Sequence, residues 1–289
     1  MTAQTMTKPL KRTRIWKVTP FQVLVYSALT VGALLMLFPA AWMIASAFKS
    51  NAEIATYPPY FLPKKPTLQP LLHAWTTLDI ARAFMNSVFV TLINSPLSVL
   101  TSVWVGFVLS KYEFWGKRVI FLAMLATMMI PGTTMLIPNY QMASWLGLLN
   151  TYTALILPAV FTTYGIFLMR QFMHSVPDEL LDAARIDGAS EPRIFFQIVI
   201  PVVKPAMATL AILQFRNSWD ALLWPLVVLS DQRKFTLAVR LATLASGYDP
   251  NWSPRVAASF IATVPMLLIY VLFQRYIVRG ATLSGMAGF

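Results

Sequence analysis

Residues 176–201 read VPDELLDAARIDGASEPRIFFQIVIP, the one long polar interruption in a chain that is otherwise strongly apolar. The stretch holds Asp178, Glu179, Asp182, Asp187 and Glu191, five of the eleven acids in the protein. Its first half predicts a short helix. Ser175 is placed to cap it, Pro177 suits the first turn, and the acids complement the positive end of the helix. Leu180, Leu181 and Ala184 share a face, and Gly188 stops the helix. Ser190 and Pro192 open a second helical run over residues 194–200, which Pro201 is expected to close before an apolar segment starts near Ala206. Helix, sharp turn and helix are expected to lie on a membrane surface between two spans.

The rest of the composition agrees with that setting. The chain has 289 residues, of which 57% are hydrophobic and 12% charged, and its mean hydropathy is +0.62. Those values define a polytopic membrane protein. Without cysteine it has no disulfides or thiolate metal sites, and with only His73 and His174 no dense metal site is expected. The net charge of +12 does not indicate nucleic acid, because the basic residues sit at the ends of apolar runs and not in an aromatic-interleaved patch.

A tail, residues 1–20, carries Lys8, Lys11, Arg12, Arg14 and Lys17 with no acid. The apolar run that follows, 21–48, is longer than the roughly 7–15 residues of a signal-peptide core and reads as a first span. Residues 49–82 form a Pro-rich, aromatic loop expected to be extended at the interface. The core, 83–278, offers further spans near 84–109, 119–138, 151–170, 206–229 and 257–277, each close to or above the roughly 20 residues needed to cross. Residues 279–289 form a C-terminal tail. Each span contains or borders a proline (Pro39, Pro96, Pro131, Pro158, Pro225, Pro265), a residue that frees a carbonyl and bends a helix. Six spans place fourteen Lys and Arg in the connections on the N-terminal side and eight on the other. That bias predicts N-in, C-in, with the acidic loop in the cytoplasm.

The spacing Asp182-Ala183-Ala184, Gly188, Ile198-Val199-Ile200-Pro201 resembles the EAA loop of permease subunits in ATP-driven, binding-protein-dependent importers, with Asp182 in place of Glu and Ile200 in place of Leu. The wording over 183–189 is similar to the carbohydrate branch. The resemblance implies an all-α, type I ABC importer permease fold with six transmembrane helices in the bacterial plasma membrane. It also implies a coupling helix that docks in a cleft of an ATPase subunit, using Glu179, Asp182, Ala183, Ala184, Asp187, Gly188, Ile198 and Pro201. The implied partners are a second permease, two ATPase subunits that carry ATP and Mg, and an extracytoplasmic solute-binding protein. The chain has no Gly-x-x-x-x-Gly-Lys-Ser/Thr loop of its own, so no cofactor and no catalytic residue are expected on it. The alternative is an amphipathic helix resting on lipid, but such helices favour Lys and Arg and this one is acidic.

For the pathway, Ser218-Trp219-Asp220 followed by Trp224-Pro225 resembles the Ser-Trp-Asn-x-x-x-Trp-Pro wording of sugar permeases, with Asp220 in place of Asn. A charge at a helix centre costs about 2.5–3.5 kcal/mol on insertion scales, so Arg216 and Asp220, four residues apart, are expected to pair or face a cavity. Asn217, Trp219 and Trp224 share that segment. In the second span Asn86, Thr91, Asn94, Ser95 and Ser98 make a polar stripe that either binds a sugar or joins helices. A phosphorylated solute would favour Arg216 as its contact. The glycine-containing tail either reaches the ATPase or frays. An ion-coupled carrier would need several embedded acids, and Asp220 is the one clear case. An intramembrane hydrolase would need nucleophile and base to converge, and neither histidine is placed for it.

Overall fold

The computed structural model describes residues 19–247 and 250–286, with side chains through Gln274. The basic residues of the N-terminal tail and the last three residues lie outside the described part. Among the described residues the chain is entirely helical, and five helical segments are long and apolar enough to cross a membrane.

The first, α1 (Pro20–Ser46), starts at a reciprocal cap: Gln22 N–H donates to Thr19 Oγ1, and Thr19 N–H donates to Gln22 Oε1. It is apolar all round, and Ser46 is its one buried residue. Its C-terminal half meets the body of the protein, against the last helix and against Phe61 of the loop that follows.

The loop after α1 is not simply extended. It forms α2 (Asn51–Ile54) and α3 (Gln69–Thr76). Lys49 is buried there, its Nζ donating to the Tyr60 carbonyl at 2.5 Å and lying 4.5 Å over the Trp42 ring, and burial pushes its pKa down. Lys49 is thus a packed side chain and not a free topology charge.

The centre is built on α4 (Ile80–Lys111), whose 32 residues give it a length of about 48 Å. The third apolar run of the sequence, 119–138, is interrupted. It forms α5 (Lys117–Met128) and α6 (Leu136–Trp145), separated by a turn at Pro131 and Gly132. Pro131 has no N–H to continue the ladder, and the freed backbone is taken up by tight turns from Thr134 N–H to Pro131 O, Met135 to Gly132 and Leu136 to Thr133. The fourth span is compound: α7 (Thr153–Ile156), a 3-10 turn over Leu157–Ala159, then α8 (Thr163–Met173).

Two glycines let α4 and α8 touch. A Cβ at Gly106 would lie 2.9 Å from the backbone nitrogen of Arg170, and one at Gly165 would lie 2.4 Å from Ser102 Oγ. No side chain larger than hydrogen fits at this crossing without movement.

The acidic loop contains α9 (Asp178–Ile186) and α10 (Glu191–Ile194). Pro201 does not close the second run as the sequence suggested. Residues Phe195–Val199 form a π-helical turn that leads without a break into α11 (Ile200–Trp219). Ile200 N–H bonds back to Phe195 O across the wide turn, and Pro201 falls in the first turn of α11, where its missing N–H is tolerated, so the helix passes through. Ser175 also departs from expectation: its hydroxyl donates back to Phe172 O, and Pro177 occupies the cap position of α9. After α11 the chain breaks at Asp220 and resumes as α12 (Leu223–Val228), α13 (Leu237–Ser246) and α14 (Trp252–Met286). The largest buried cluster joins α4, α8, α9 and α11 through Val103, Phe107, Met169, Leu181, Phe195 and Val203.

Candidate functional site

The acidic loop is bound to the helix bundle by charge as well as by packing. Leu181 and Ala184 are buried on the inner face of α9 and anchor it to the core, whereas Leu180, Ala183 and Ile186 point outward. Ile186 is 87% exposed. Leu180, expected to share a face with Leu181 and Ala184, is therefore exposed, and of the coupling alanines Ala184 serves the chain's own core while Ala183 is free.

Gly188 has φ +80°, and the end of α9 is sealed by two bonds: Gly188 N–H to Arg185 O at 3.0 Å and Ala189 N–H to Ala184 O at 2.9 Å. This is the Schellman arrangement, which needs a left-handed residue at that position. Glu179 and Asp187 are exposed. Asp182 is drawn sideways to Arg185, with Nη1 2.8 Å from its Oδ1. The same guanidinium donates to Glu191 through Nε at 2.8 Å, and the Tyr112 hydroxyl donates to Glu191 from the other side. The Glu191 carboxylate is the main cause of a further rise in the already high pKa of Arg185.

Lys111, at the end of α4, donates to Val176 O at 2.5 Å and to Asp178 Oδ1 at 2.7 Å, and this bond holds the Asp178 carboxyl below its usual range. Ile198 is half-buried against the same cluster, and Pro201 is exposed on the helix above it. The sequence reading missed this girdle of Lys111, Tyr112, Arg185 and Glu191. The three-residue spacing of Asp182 and Arg185 was a local signal, but the reach from α4 is a tertiary fact.

A second feature lies at the other end of α11. A cavity of about 310 Å³ opens between α4, the segment from α7 to the start of α8, α11 and α12, lined by Asn94, Ser98, Thr162, Gln214, Asn217 and Trp224 among others. Its polar wall is partly knitted. Asn94 Nδ2 donates to Leu155 O at 3.3 Å, and Gln214 Nε2 donates to Thr162 Oγ1 at 3.1 Å. Asn94 Oδ1 and Thr236 Oγ1 are buried at this wall with no protein partner, which leaves capacity for a hydroxyl-bearing guest or water.

Of the other pathway candidates, Asn86 donates to the carbonyls of Arg233 and Phe235, both at 2.9 Å. Trp219 is buried against Phe84 and Phe215, with its indole N–H on Ala262 O at 3.1 Å. Arg216 and Asp220 pair at 3.6 Å, are both exposed, and are not part of the cavity wall. The structure therefore gathers Asn94, Asn217 and Trp224 at the cavity and leaves Asn86, Arg216, Trp219 and Asp220 outside it. In the stripe, Ser95 bonds to Ala211 O and Ser98 approaches Thr162, both joining helices.

An all-helical polytopic subunit with a polar turn welded beneath its bundle and a cavity above has the architecture of an importer's membrane component. Residues 98–282 match the family described as the binding-protein-dependent transport system inner membrane component, and the chain belongs to that family. It is similar to the arabinooligosaccharides transport system permease protein AraQ of Halalkalibacterium halodurans, with 39% identity over 90% of this chain and 96% of the relative. The diacetylchitobiose uptake system permease protein NgcG of Streptomyces coelicolor is 34% identical over 89% of this chain and 86% of its own length. Among solved structures, a bacterial ABC transporter involved in the import of the acidic polysaccharide alginate superposes with a TM-score of 0.80. It covers 93% of this chain and 99% of the matched chain at 24% identity, a likeness of fold.

Proposed function

We propose that the chain is one half of the translocation pathway of a sugar importer, with its α9 face engaged by an ATPase subunit that carries ATP and Mg. A second permease completes the pathway and an extracytoplasmic binding protein delivers the solute. The observation that carries this reading is the outward apolar set Leu180, Ala183 and Ile186, held on a helix whose inner face is already fixed by Leu181, Ala184 and the Arg185 network. Spaced three apart on one helix, these exposed apolar residues form a contiguous strip on an otherwise polar loop, which supports a partner surface there. The sugar class is supported by the relatives' substrates and by the amide and hydroxyl groups around the 310 Å³ cavity.

Ile186→Glu is the direct test. Full burial of an isoleucine contributes about 1.5–3 kcal/mol, so loss of that contact weakens association by roughly 10- to 100-fold. Affinity-tagged permease carrying the substitution is expected to lose its ATPase subunits on purification while keeping the second permease. Unchanged recovery of ATPase would remove α9 as the docking surface. The solute follows from the ATPase activity of the reconstituted complex across a panel of oligosaccharides with its binding protein.

The N-in, C-in orientation has its own test. The chain has no cysteine, so a single one reports its side without background. Cysteine at Trp115 should be shielded from an impermeant thiol reagent in intact cells and cysteine at Tyr57 should react; the reverse pattern would invert the topology.

A further inference from the structure

Where α4 hands over to α5, the surface holds an open pocket of about 620 Å³ that the importer reading does not use. Lys117, Arg118 and Arg170 line it, with Glu113 as the one acid. Glu113 Oε1 is 2.7 Å from Lys117 Nζ, so that pair offsets itself and two guanidinium groups remain. Arg170 is held in place, with Nε on Leu109 O at 3.2 Å and its guanidinium 4.1 Å above the Phe121 ring. Arg118 is exposed.

Below the charges the wall turns apolar. Phe121, Val119 and Leu122 continue the pocket along α5, a helix with no buried residue. Beside the pocket mouth Trp115 is 99% exposed, the position an aromatic takes at the level of lipid headgroups. A charged mouth above an apolar wall has the shape of an amphiphile. A free anion would use only the mouth.

We propose that this pocket binds an anionic phospholipid, its phosphate held by Arg118 and Arg170 and its acyl chains lying along Val119 and Leu122 of α5. Arginine forks match phosphate oxygens, and basic pockets beside membrane helices hold acidic headgroups in this way. Placement in the cytoplasmic leaflet rests on the N-in orientation proposed above.

The test uses the complete purified complex of permeases and ATPases, incubated with dioleoylphosphatidylglycerol or dioleoylphosphatidylcholine and weighed intact by native mass spectrometry. Wild type is expected to retain one phosphatidylglycerol more than Arg118→Gln, whose affinity at this site falls about five-fold for one cation lost near the surface. Arg118→Lys should keep most of it, and phosphatidylcholine should show no difference between variants. Equal phosphatidylglycerol retention in wild type and Arg118→Gln would overturn the proposal. Displacement of the lipid by inorganic phosphate would do so too, and would make the pocket a free-anion site. Loss of the ATPase subunits from Arg118→Gln would overturn it by making the pocket a protein contact. The readout involves neither transport nor ATP, and cysteine labelling at Trp115 reports the leaflet separately, so failure here is distinct from failure of the importer reading.

Discussion

Gly188→Val should abolish solute-stimulated ATP hydrolysis by the assembled complex, while Gly188→Asn retains a measurable share. At φ +80° an L residue carries about 1–2 kcal/mol of strain, and a β-branched one is the least tolerant. Asparagine is the side chain that adopts this region most readily after glycine. A Cβ on Gly188 meets nothing within 4 Å in the chain itself, so the penalty lies in the backbone alone. Relieving it would open the bonds from Gly188 to Arg185 and from Ala189 to Ala184, and α9 would lose the angle at which Ile186 is presented. The melting temperature of the Val variant should fall only slightly, because Ala189 alone of the turn packs on the core, and the contacts between α4, α8 and α11 are untouched. Two outcomes are informative against this account. Full stimulation in the Val variant would detach the turn from coupling. Asn failing as completely as Val would mean that the partner's cleft closes on the Gly188 Cα and that space, not backbone conformation, is limiting.

Gly106→Leu is expected to be strongly destabilising, by about 1–3 kcal/mol or more, through overpacking. Even the first added carbon lies 2.9 Å from the Arg170 backbone nitrogen and 3.0 Å from Met169 Cβ, and backbone cannot rotate aside as a side chain would. α8 would have to move off α4, taking Met169 and Met173 out of the cluster that supports α9. A sharp fall in detergent melting temperature and in membrane yield should follow. Gly32→Leu, on α1, is the control: nothing lies within 4 Å of a Cβ there, so it should be neutral. A stable Gly106→Leu protein would mean that the α4–α8 crossing is looser than its geometry.

Much of this architecture was readable from the chain. Uninterrupted apolar runs flanked by charges located α1, α4 and the long helix at the C-terminal end, because length and hydropathy suffice where a helix is continuous. The same measure could not see the interruption between α5 and α6. Residues 129–138 stay uncharged across the turn, and Pro131-Gly132 is a local backbone event that an averaging window smooths over. Pro201 failed in the opposite sense, since a proline usually ends a helix unless the turn before it widens, and nothing in residues 195–199 announces a π-turn. At the candidate sites, the acid-rich helix and Gly188 were legible as local signals. The polar stripe was not: Asn86 and Ser95 spend their hydrogen bonds on carbonyls more than 100 residues away, and only the fold says which hydroxyls are left to line a cavity.

The unbroken passage from the π-turn into α11 sets a mechanical ratio. From Ile200 to Ser218 the helix is about 27 Å long, so a tilt of about 10° at its foot carries the far end through about 5 Å. That is wider than a water molecule and comparable to the width of a pyranose ring. Gln214, Asn217 and Ser218 ride at that far end, on the cavity wall. If the acidic turn is the docking surface proposed above, a small rotation of it would be enough to change the width of the space they enclose. The gearing comes from two prolines, Pro201 and Pro205, that the helix absorbs instead of stopping at.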